Sequence, residues 1–202
     1  MNEELGQSEN DAAPGQRGAL RLLVFACGNV LAGDDGAGRE IVRRLREKGD
    51  CGVEFQESLQ AGVDLLQSFD KDDIILFVDA VSSGAPPGTL HLVSLPWAGL
   101  EPRGVGSRSS HGWGLKETLE LARALGQRVP RMLLLGVEVE TISPNARRSK
   151  MVEEAIELVV GKFPSLVSSV MNCDSTFWRT PLHLFPIKGL EEDRVTWPFP
   201  LP

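Results

Sequence analysis

Three apolar runs of strand length, LRLLVFAC (20–27), DIILFVDA (73–80) and RMLLLGVEV (131–139), constrain this chain more than any other feature. Each falls short of the roughly 18 apolar residues that a membrane-spanning helix needs, and each is nearly continuous rather than alternating. Such strands bury both faces, as in a parallel sheet covered by helices. The segments between them carry helical spacing. Ile41, Val42 and Leu45 recur among charges; Leu115, Leu119, Ala122 and Leu125 share one face of 114–126, which ends at Gly126, a residue suited to a C-cap; Val152, Ala155, Ile156 and Val159 mark a last helix. CGVEFQES (51–58) and GTLHLVSL (88–95) alternate as strands, GVDLLQSF (62–69) suits a short helix, and Pro86-Pro87-Gly88 marks a tight connection. Strands alternating with helices predict an α/β fold, a three-layer sandwich with a mostly parallel central sheet flanked by helices.

The ends of the 202-residue chain differ from this middle. Residues 1–18 are polar, with almost nothing apolar to bury, and predict a disordered leader. They also lack the charged-then-apolar pattern of a signal peptide, so the expected location is the cytoplasm. The expected domain covers 19–163. From Pro164 to Pro202 the chain holds six of its 13 prolines, together with Trp178 and Trp197, and shows no sustained period. That density predicts a loosely ordered surface extension without a regular helix or central strand. A net charge of −7 argues against a nucleic-acid partner. The run Arg39, Arg43, Arg44, Arg46 and Lys48 reads as a solvated helix face. Cys27, Cys51 and Cys173 are odd in number and widely spaced, which fits reduced structural thiols.

The turn after the first strand, CGNVLAGDDGAG (27–38), poses the functional question. Glycine-rich strand-to-helix turns usually hold phosphate on free N–H groups and the helix dipole, but two adjacent acids repel an anion. The turn is therefore a cation site or a capped helix start, an Asp N-cap contributing ~1 kcal/mol. In open α/β sheets chemistry collects beyond the carboxyl ends of the strands. That rule selects Asn29, Asp34 and Asp35 after the first strand, Asp79 at the end of the second buried one, and Ser110 and His111 in the loop before the 114–126 helix. Two carboxylates and an imidazole at one edge suit a borderline divalent metal such as nickel or zinc. Asp79 alone also reads as a turn-former and His111 alone as a loop or core histidine. His91, in mid-strand, and His183, in the extension, have no acidic companion in the expected topology.

Together these residues resemble a known family. GNVLAGDDGAG is similar to the signature of the hydrogenase maturation proteases, endopeptidases that trim the C-terminus of the large-subunit precursor of nickel–iron hydrogenases. LFVDA followed by PPGTLHL resembles that family's second acid and next strand, SSHGWGLKETLELA its histidine motif, and GVEVE followed by ISP its late strand and turn. The resemblance runs from about Leu20 to Phe163 and implies a compact α/β sandwich. It implies that Asp35 is the metal-contacting acid, Asp79 the second acid and His111 the histidine, and it leaves Asp34 as a cap or supporting group. It further implies that the metal is nickel carried by the precursor, which is the partner, with no organic cofactor. Two positions depart from the pattern. Ala26 stands where a Gly is usual, a methyl expected to tighten the turn, and Val139 stands where Pro is common. Neither the extension nor its role has a counterpart.

No Ser, Cys or Thr occupies a G-x-S-x-G elbow, so peptide hydrolysis here requires a water activated by a carboxylate or by a metal. Asp35 and Asp79 suit either role, and His111 completes a ligand set or donates a proton to the leaving amine. A module that binds nickel-loaded precursor as a checkpoint or chaperone without cutting it would use the same residues. A nucleotide-binding oxidoreductase is disfavoured, because the loop lacks G-x-G-x-x-G and puts acids where pyrophosphate would sit.

Overall fold

Leu22–Ala26 forms β1, and all five of its residues are buried. The structure, a computed structural model, describes residues 20–49, 52–57, 72–95, 121, 123–126, 129–172 and 183–185. After a single 3-10 turn at Asp34–Gly36 come α1 (Ala37–Lys48), β2 (Glu54–Glu57), β3 (Ile74–Val81), β4 (Leu90–Leu95), β5 (Arg131–Glu138), α2 (Lys150–Met171) and β6 (His183–Phe185). They build one six-stranded sheet in the order β2-β1-β3-β5-β4-β6. The pairings β1·β2, β1·β3 and β3·β5 are parallel, and β4 runs antiparallel to β5 and β6. The three apolar runs of the sequence are thus the three central strands β1, β3 and β5, as burial on both faces requires.

One face of the sheet carries Leu22, Val24, Ala26, Ile74, Leu76, Val78, Leu133, Leu135 and Val137, packed with Ile41, Val42 and Leu45 of α1 and with α2. Leu23, Phe25, Ile75, Phe77 and Met132 alternate with them and are buried too, the Phe25 and Phe77 ring centroids lying 5.7 Å apart. The predicted 62–69 helix lies outside the described residues, as do the 1–18 leader and most of the 114–126 helix. That last helix ends as expected at Gly126, with φ +71°.

The basic run of α1 is only partly a solvated face. The Arg44 side chain is 18% exposed and pairs with Glu40 of its own helix and with Glu153 and Glu157 of α2, while Arg148 also reaches Glu153. Hydrogen bonds from Arg43, with the Arg44 bond adding, hold the Glu40 carboxyl down to about 2. These ions tie α1 to α2 over the shared apolar face.

The boundary expected at Phe163 cuts through a helix. α2 continues through Pro164 to Met171 and buries Leu166 and Val170, and β6 extends the sheet beyond β4. A proline inside a helix removes one N–H and costs about 3 kcal/mol. The apolar period running on through Phe163, Leu166 and Val170 offsets it, since fully burying such side chains contributes about 1.5–3 kcal/mol each. Deleting residues 164–202 is therefore expected to lower stability by more than about 3 kcal/mol. The urea midpoint checks this, and an unchanged midpoint would restore the boundary to Phe163.

Candidate functional site

The turn between β1 and α1 folds back on itself around Asn29 and Asp35. Gly28 adopts φ +109°, and a Cβ there would lie 2.0 Å from the Asp35 carbonyl oxygen, so only glycine lets the two ends of the turn approach. The Asn29 N–H donates to Asp35 Oδ2 at 2.8 Å, and Asn29 Oδ1 accepts from the Leu31 N–H at 3.0 Å. Asp35 is 5% exposed and lies at the carboxyl end of β1, where the sequence placed it. Ala26 does not crowd this turn. Its methyl group points into the α1 side of the core, so the departure at that position leaves the site untouched.

Asp34 is not a helix cap. The residues that precede the 3-10 turn and α1 are Gly33 and Gly36, and neither helix start has a side-chain cap. Asp34 is instead 0% exposed and accepts three backbone N–H groups from the loop between β5 and α2. Oδ2 takes those of Glu140 and Thr141 at 2.9 and 3.1 Å, and Oδ1 takes that of Ser149 at 2.6 Å. The Asp34 N–H adds a bond to the Thr141 carbonyl, and Gly33 bridges to Ile142. The first acid of the pair thus fastens two loops together.

Asp79 stands near the end of β3. The parallel register pairs Ala26 with Val78, so Asp79 emerges one residue beyond the last β1 partner, beside the turn that carries Asp35. Its Oδ1 accepts the Ala80 N–H at 2.8 Å. Burial pushes its carboxyl up to about 7, against the pull of the Ala80 N–H, and the neighbouring Asp35 charge pushes the same way. An acid of the β1–α1 turn and an acid of β3 are thus brought together, and burial lets Asp79 hold its proton near neutrality. The Cys27 thiol beside them is driven far up by burial, with the Asp79 charge adding, and stays protonated.

His111 and Ser110 lie outside the described residues. Among the described residues no three His, Cys, Asp or Glu side chains converge as a metal cage. His91 departs from expectation, for it does have an acidic companion. Its Nε2 lies 2.9 Å from Glu138 Oε2, with both side chains 2% exposed. Glu138 also accepts from the Ser83 N–H, the Ser83 hydroxyl and the Gly84 N–H. The available signal was a polar residue at an inward position of each of two apolar strands, but pairing them required the β4–β5 register.

A family model described as hydrogenase maturation protease matches residues 40–164. The hydrogenase 2 maturation protease of Escherichia coli K12 is 30% identical over 141 residues, covering 68% of this chain and 85% of that protein. The hydrogenase expression/formation protein HupD of Thiocapsa roseopersicina is 33% identical over 121 residues, 58% of this chain. The chain spans only 53 to 60% of the length of that protein and of two Azotobacter relatives, HoxM and HupM. Among solved structures, the hydrogenase maturating endopeptidase HybD from E. coli superposes with a TM-score of 0.63 at 26% identity. That match covers 75% of this chain and 94% of the E. coli chain.

Proposed function

The chain belongs to the hydrogenase maturation protease family, and on that footing we propose that it is an endopeptidase that removes the C-terminal segment of a nickel-loaded nickel–iron hydrogenase large-subunit precursor. The observation that carries this reading is the pairing of Asp35 and Asp79 at the carboxyl edge of the sheet, with the Asp79 carboxyl at about 7. A group that titrates near the working pH suits proton transfer, because both its forms are populated. Asp79 takes a proton from the attacking water and returns one to the leaving amine. Asp35, fixed by the Asn29 N–H, faces the nickel that the precursor brings. His111 supplies a third contact. Two carboxylates and an imidazole form an open set without thiolates, too few to retain a soft metal unaided, so the remaining ligands come from the precursor. No organic cofactor is required. No helix among the described residues is long and apolar enough to cross a membrane, and we place the processing in the cytoplasm, where thiols stay reduced.

Incubating the purified protein with nickel-loaded and nickel-free precursors, and weighing both by mass spectrometry, tests the reading. Loss of the C-terminal segment from the nickel-loaded form alone is expected. Trimming of verified nickel-free precursor would make the acids a metal-independent pair. Stable binding of the nickel-loaded form with no mass lost would make the protein a checkpoint that does not cut.

A further inference from the structure

Asp79, Gly136 and His91 occupy one row across β3, β5 and β4, since β5 pairs Gly136 with both of the others. Partners in register point to the same face of a sheet, so His91 and Asp79 share a face with the missing Gly136 side chain between them. Val81 and His91 close over that gap. A Cβ at Gly136 would lie 2.8 Å from Val81 Cγ1 and 3.5 Å from His91 Cβ. His91 is therefore sealed behind Val81, at 2% exposure, and does not reach the reacting groups.

The end of β3 is paired from one side only among the described residues. The β1 ladder stops at Val78, whose carbonyl accepts the Cys27 N–H, so Asp79, Ala80 and Val81 are paired by β5 alone among the described residues. Strand ends paired on one side open easily. The Glu138 carboxylate lies directly past this end. Its Oε1 accepts the Ser83 and Gly84 N–H groups at 2.7 and 2.9 Å, and its Oε2 accepts the Ser83 hydroxyl at 2.8 Å and faces His91 Nε2 at 2.9 Å. Glu138 is in turn held by the segment just before β4, its N–H on the Thr89 carbonyl and its carbonyl taking the Gly88 N–H. Among the described residues His91 Nδ1 is buried and has no hydrogen-bond partner. A proton on Nδ1 would be stranded, which places the ring proton on Nε2, facing the carboxylate.

We propose that Glu138, oriented by the buried His91, is a positioning residue for the Asp79 carboxyl, gripping the turn after β3 so that the strand end, paired on one side, cannot shift. The proposal rests on the function proposed above, in which Asp79 moves the proton. A carboxylate is needed, because all four of its contacts are donors. An amide at 138 would turn an N–H₂ toward Nε2–H, and His91 has no second tautomer to offer without stranding a proton.

The test uses Glu138→Gln in the full chain, with amide exchange followed by NMR alongside processing of nickel-loaded precursor. The Ser83 and Gly84 amides, and the Ala80 amide that bonds Asp79 Oδ1, are expected to exchange at least about tenfold faster. A comparable fall in kcat with KM within about twofold is expected, about 1.4 kcal/mol per tenfold. Should Glu138→Gln fail to fold, Ser83→Ala removes only the hydroxyl donor and is expected to move the Ala80 exchange and kcat the same way by about two- to threefold. Faster exchange at Ser83 and Gly84 with Ala80 and kcat unchanged would overturn the proposal, leaving Glu138 a loop anchor. If the wild-type protein trims no precursor, the proposed function fails while the Ala80 exchange still decides whether Glu138 positions Asp79.

Discussion

Asp79→Asn is expected to abolish precursor processing and, at the same time, to make the protein more stable at pH 8. The carboxyl titrates near its ordinary value of 3.8 when the chain is unfolded and at about 7 when folded. Between those values the folded state keeps a proton that the unfolded state has lost, so stability falls as pH rises from about 4 to 7, and the full loss persists above 7. Asn carries no charge to desolvate. Its carbonyl still accepts the Ala80 N–H, and its amide no longer repels Asp35. The gain should be near zero below pH 4 and reach about 2–4 kcal/mol at pH 8. Urea titrations of both proteins at pH 4, 6 and 8 measure it. A variant no more stable than wild type at pH 8 would show that Asp79 is ionised at no cost and unsuited to carry a proton.

Asp34→Ala should have the opposite profile, a large loss of stability caused by a residue that touches no reacting atom. Removing the carboxylate leaves the N–H groups of Glu140, Thr141 and Ser149 without their acceptor in a partly buried loop. Hydrogen bonds to a charged acceptor contribute about 1.5–3 kcal/mol each, and the three are coupled, so a loss of about 3–5 kcal/mol is expected. Asp34→Asn should recover little of it, because both carboxylate oxygens accept and an amide offers one. Chemical denaturation decides the matter. A loss below about 1 kcal/mol would match a helix cap and contradict the staple.

The central strands and the carboxyl edge of the sheet were legible in the primary structure, whereas the choice of Asp35 over Asp34 came from the family resemblance of the turn. Nearly continuous apolar runs mark parallel strands, and parallel strands bring their carboxyl ends to one edge, so acids 44 positions apart in the sequence are expected at one place. Local pattern failed where a residue's partner lay far along the chain. Asp34 carries a cap's side chain at a cap's position, yet it binds N–H groups more than 100 residues away, because the β5–α2 loop crosses there. Pro164 signals a helix end, yet tertiary burial of Leu166 and Val170 carries α2 past it. His91 and Glu138 each look like an isolated polar intrusion into an apolar strand. Only the antiparallel register of β4 on β5 makes them a pair, since a one-residue slip would put them on opposite faces. Sequence patterning thus determined which segments are buried and which edge carries the acids, because these follow from the period of hydrophobicity. The tertiary structure alone decided what Asp34 holds and that His91 faces Glu138, because those roles depend on partners supplied by distant strands and loops.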